Sequence, residues 1–104
     1  MHWLLQIETE LNRLTPDDNP GRTRTAARRI AGIALQQFYK KPSDDFLRLL
    51  QNAMNDTSLP SDVVSAIQRL TTRLDSDFKS PSVDPIGDAM SIVEFVKADT
   101  PPKN

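Results

Sequence analysis

Residues 23–40 read Thr-Arg-Thr-Ala-Ala-Arg-Arg-Ile-Ala-Gly-Ile-Ala-Leu-Gln-Gln-Phe-Tyr-Lys, and they decide the fold class. Ala27, Ile30, Ala31, Ala34 and Phe38 recur at three- and four-residue spacing, which sets them on one stripe of an α-helix, widened by Ile33 and Leu35. The pattern predicts a helix that starts at Thr23 or Thr25, either a competent cap, and runs to about Lys40. Ala26, Ala27, Ala31, Gly32 and Ala34 crowd small side chains into a short stretch. Small residues let neighbouring helices approach closely, so this helix is expected at the centre of the fold. Lys40 and Lys41 suit the negative pole of its dipole. Arg28 and Arg29 lie near the positive pole, at a cost of a few tenths of a kcal/mol, which points to another use for their charge.

Outward from that helix, prolines divide the chain. On the N-terminal side, Leu4, Ile7, Leu11 and Leu14 form an apolar stripe over residues 2–14, and residues 15–21 carry loop chemistry. On the C-terminal side, Ser43 is expected to cap a third helix with Asp44 and Asp45 in its first turn and Phe46, Leu47, Leu49, Leu50, Ala53 and Met54 inward. A fourth helix is expected from Ser61 to about Asp75, with Val63, Ile67, Leu70 and Leu74 inward. Residues 75–83 read as irregular, anchored by Phe78. Asp84-Pro85 pairs a capping carboxylate with proline at the first helical position. It opens a fifth helix that carries Ile86, Ala89, Met90, Val93 and Val96 to about Ala98; a short strand over 91–96 is the alternative. The expectation is an all-α, compact bundle of about five short helices in a single domain, residues 1–99, with a loose tail at 100–104.

A chain of 104 residues has room for one ordinary domain. It has no cysteine and a single histidine, His2, read as a solvated terminal side chain. That count removes disulfides, a thiolate nucleophile, sulfur-based zinc sites and a Ser-His-Asp triad. The Asp17/Asp18 and Asp44/Asp45 pairs fit loop solvation and helix-dipole compensation better than paired catalysis. Asp75 and Asp77 lack the glycine and the later glutamate of a calcium loop. No enzyme activity, metal, cofactor or small-molecule substrate is expected. No apolar run approaches the roughly 18 residues that span a bilayer. The N-terminus lacks the basic region of a secretory signal, so a cytoplasmic protein is the default expectation.

The near-balance of 13 basic and 14 acidic residues conceals a separation. Residues 21–41 hold Arg22, Arg24, Arg28, Arg29, Lys40 and Lys41 and no acid; from Ala53 onward acids outnumber bases. Two readings of the basic segment stay open beside a plain ion-paired surface. In one, an adaptor or accessory subunit engages a protein partner through the basic face and the acidic C-terminal half. In the other, a nucleic-acid-associated subunit tracks phosphates with Arg22, Arg24 and Arg29, while Arg29, Gly32, Gln36 and Lys40 line one helix face. Against the second stand the scarcity of aromatic residues, with Tyr39 the one stacking candidate, and the near-neutral charge. Trp3, offset from its helix's apolar stripe, is either a core-edge residue or an apolar interaction anchor. Wide apolar faces also make a homodimer an expectation.

Overall fold

The computed structural model describes residues 2–14, 20–40, 45–71 and 84–99. They form five helices: α1 (Trp3–Asn12), α2 (Pro20–Tyr39), α3 (Phe46–Ala53), α4 (Ser61–Thr71) and α5 (Pro85–Asp99). The chain is an all-α bundle, and residues 91–96 are helical, which removes the strand alternative. Among the described residues no helix is long and apolar enough to cross a membrane.

Helix α2 is the hub. It packs against each of the other four helices, most extensively against α5, whereas among the described helices α1 packs against α2 alone. The small residues explain this. Ala27, Ile30, Ala31, Ala34 and Leu35 are fully buried, and they meet Leu50 of α3, Ile67 and Leu70 of α4, and Ile92, Val93 and Val96 of α5 in one core. Gly32 is where α3 comes closest. A Cβ there would overlap the Phe46 ring, so the absent side chain is what seats Phe46.

Several boundaries differ from the sequence expectation. α2 begins at Pro20, earlier than Thr23 or Thr25, because proline's fixed φ suits the first helical position and its missing N–H has no intrahelical partner to lose there. Thr25 therefore lies within the helix, its hydroxyl donating to the Gly21 carbonyl at 3.0 Å. Arg22 and Arg24 are helical too. The cap of α3 is Asp45, whose Oδ1 accepts from the Arg48 N–H at 3.0 Å; Ser43 and Asp44 lie outside the described residues. His2 caps α1, Nδ1 accepting from the Leu4 N–H at 3.2 Å, so it is more than a solvated terminal side chain. The Asp84 cap is as expected, its Oδ1 accepting from the Gly87 N–H at 3.0 Å. α2 ends at Tyr39, and Lys40 follows it as a non-glycine residue at φ 55, in the left-handed conformation that commonly stops a helix. The expected roles of Leu74, Phe78 and the 100–104 tail fall outside the described residues.

Candidate functional site

The basic residues of α2 do not form one face. Positions seven apart on a helix differ by about 20° in direction, so Arg22 and Arg29 share a side. That side meets α1, where Arg13 joins them. The three guanidinium groups line a cleft of about 350 Å³ between the two helices, together with Glu10, Leu14, Gly21, Thr25 and Ala26. Glu10 Oε1 lies 3.2 Å from Arg29 Nη2 and 3.6 Å from Arg13 Nη1. Three arginines and one carboxylate give the cleft a cationic lining beside the apolar walls of Leu14 and Ala26.

Arg24 and Arg28, four apart, share a different side. Arg28 Nε donates to the Leu70 carbonyl at 2.5 Å, satisfying an acceptor in the last turn of α4. Burial, and then the neighbouring charge of Arg24, lowers the pKa of Arg28. Arg24 Nε is itself buried, with no hydrogen-bond partner among the described residues. Because α2 starts at Pro20, Arg28 lies in its third turn, away from the positive pole, and its charge is used at the end of another helix.

The remaining candidates are scattered. Lys40 is exposed at the other end of α2, about 27 Å from Arg22 along the helix axis, and Lys41 lies outside the described residues. The expected exposed line through Arg29, Gly32, Gln36 and Lys40 is broken at Gly32, which is buried beneath Phe46. Trp3 is half-buried, packs against the core and stacks on His2 with ring centroids 6.4 Å apart, which is the core-edge placement. Leu5, further along the same helix, is the exposed large apolar residue of α1.

The acids of the C-terminal half are largely absorbed where they stand. Asp56 Oδ1 accepts from the Ser58 hydroxyl and N–H at 2.6 and 2.9 Å, and Oδ2 from the Tyr39 hydroxyl at 2.5 Å. These bonds, those from the Ser58 hydroxyl first, lower the Asp56 pKa. Burial, and then the bond to Asp56, raises that of Tyr39. Asp88 holds Arg69 in a two-pronged bridge at 2.8 and 3.0 Å that ties α4 to α5. Glu94 lies 3.6 Å from Lys97. Among the described residues no group of three or more His, Cys, Asp or Glu side chains could hold a metal ion. Asp17, Asp18, Asp75 and Asp77 lie outside them.

Arg13 and Glu10 are the site residues absent from the sequence reading. The signal for Glu10 is present in the chain: it stands three after Ile7 and four before Leu14, on the edge of the apolar stripe. A carboxylate there is directed toward the neighbouring helix, and Glu10 is buried. Comparison with protein-family models, curated proteins and solved structures gave no significant match.

Proposed function

We propose that this chain is a non-catalytic helical interaction module, an adaptor or accessory subunit, which docks an acidic segment of a partner protein in the α1–α2 groove. The observation that carries the reading is the convergence of Arg13, Arg22 and Arg29 from two helices on one cleft with apolar walls. Spaced carboxylates on a peptide would meet the guanidiniums, and its apolar side chains would cover Leu14 and Ala26. The basic face of the module is narrower than the whole 22–41 segment. Arg28 turns toward α4 and serves the helix end there, with the charge of Arg24 nearby.

The experiment is fluorescence anisotropy with a labelled peptide of Leu-Glu-Ala repeats against the wild type, Arg22→Glu and Arg28→Met. Saturable binding that weakens about tenfold or more in Arg22→Glu and survives in Arg28→Met is the expected result. Absence of binding by the wild type, or equal loss in both variants, ends the reading. A labelled oligothymidylate is run beside the peptide. Tighter, steeply salt-dependent binding of the oligonucleotide would transfer the groove to nucleic acid. Sedimentation of the protein alone, across salt concentrations, shows whether a second copy supplies the acidic segment.

A further inference from the structure

The α1–α2 groove is divided by one side chain. Glu10 is the buried charged residue among those described, and its carboxylate stands between Arg13 and Arg29. On one side is the cleft that reaches Arg22. On the other is a second cleft of about 340 Å³, which shares Glu10, Arg13 and Arg29 and is walled by Thr9, Ile33 and Phe46. A ligand lying along both therefore meets apolar wall, then two guanidiniums that share one carboxylate, then apolar wall and Arg22 in turn.

We propose that Glu10 is a specificity-determining residue, selecting an acidic, partly apolar peptide over a phosphate polymer; this rests on the groove being the docking site. A single-stranded nucleic acid carries a charge on every residue, so a strand lying along both clefts brings a phosphate against the Glu10 carboxylate. Glu10 also holds the two guanidiniums that such a strand would use. A peptide escapes the first penalty, because its charges can be spaced. It sets its carboxylates at Arg22 and at the outer edges of Arg13 and Arg29, and passes Glu10 with an apolar or small side chain.

The test compares wild type with Glu10→Gln, which keeps the shape and removes the charge. Binding of the Leu-Glu-Ala peptide and of the oligothymidylate is read by anisotropy over a range of salt. Glu10→Gln should bind oligothymidylate about tenfold tighter at about 50 mM salt, with a slope of log Kobs against log[salt] steeper by about 0.7 for each additional phosphate engaged. Peptide affinity should change by less than about threefold. An equal gain for both ligands, or no gain for the oligonucleotide, overturns the role of Glu10 while leaving peptide docking intact. If the wild-type protein does not bind the peptide, the docking reading itself fails and this one with it. Glu10→Met removes the same charge without leaving a polar group to bury, and keeps the question answerable should Glu10→Gln not fold; it too should raise oligothymidylate binding selectively. Failure of that selective rise overturns the proposal as well.

Discussion

Arg28 and Arg29 are adjacent in sequence and should behave oppositely when changed. Replacing Arg28 by Met removes the 2.5 Å bond from Nε to the Leu70 carbonyl in the last turn of α4. A hydrogen bond from a charged donor is worth about 1.5–3 kcal/mol, and a cation at a helix C-terminus adds about 0.3–1 kcal/mol. Relief of repulsion with Arg24 offsets part of this, and Met keeps the aliphatic packing. A net loss of about 2 kcal/mol follows, which lowers Tm by roughly 10 °C in a domain of this size. Arg29→Met breaks the 3.2 Å pair with Glu10, but Arg29 is half exposed and Arg13 stays within reach of the carboxylate, so its cost is about 1 kcal/mol or less. Urea denaturation followed by circular dichroism measures both, with an unchanged m-value confirming that the folded state alone is altered. Peptide anisotropy supplies the second axis: Arg29→Met weakens binding about tenfold and Arg28→Met leaves it unchanged. Arg28→Lys keeps the charge without the planar donor and should recover less than half of the lost stability. A loss under about 0.5 kcal/mol in Arg28→Met would refute the capping argument.

Gly32→Ala forces the Phe46 ring off α2 and should destabilise by about 1–3 kcal/mol in urea titration, opposite to the gain alanine brings in an exposed helix. Lys40→Gly relieves a left-handed conformation at the end of α2 and should raise stability by about 1 kcal/mol in the same assay. The Tyr39–Asp56 pair shapes the pH profile of unfolding. The lowered Asp56 pKa stabilises the fold above the unfolded value of about 3.9, an effect lost as pH falls through the folded value. The raised Tyr39 pKa stabilises below the unfolded value of about 10, an effect lost as pH rises through the folded one. Tyr39→Phe should lower the urea midpoint on the plateau between these limits, abolish the Tyr39 contribution to the alkaline decline and leave a shallower acid limb.

The helices are legible in the sequence because their apolar spacing is regular and their caps are chemically plain. The stripe through Ile30 and Ala34 of α2, the Asp84-Pro85 start of α5 and the proline breaks each carry their own local cause, independent of what packs alongside. The start of α2 is harder to place because Pro20 and Gly21 read as turn chemistry in isolation, whereas a proline at the first helical position satisfies the same residues. The site is legible only as a concentration of charge. Arg22, Arg24, Arg28 and Arg29 look equivalent in sequence; their division depends on which helix lies on each side of α2. Glu10 carries the clearest latent signal, a carboxylate on the rim of an apolar stripe, whose meaning depends on the arginine that faces it from α2.

The same placement accounts for the energetics of the charge and narrows where function can reside. With α2 starting at Pro20, Arg28 and Arg29 lie in its third turn, beyond the reach of its dipole, so the cost of a few tenths of a kcal/mol expected for them falls away. Arg28 instead bonds the Leu70 carbonyl in the last turn of α4. Of the described C-terminal acids, Asp56 is met by Tyr39, Asp84 by a helix cap and Asp88 by Arg69. On the α1–α2 side Glu10 answers both Arg13 and Arg29, and Arg22 lines the same cleft. Because α1 packs against α2 alone among the described helices, a segment bound across the groove would add a further hold on α1. Ligand binding there and the stability of α1 are therefore linked quantities, and peptide that binds the groove should raise the apparent stability of that helix by mass action.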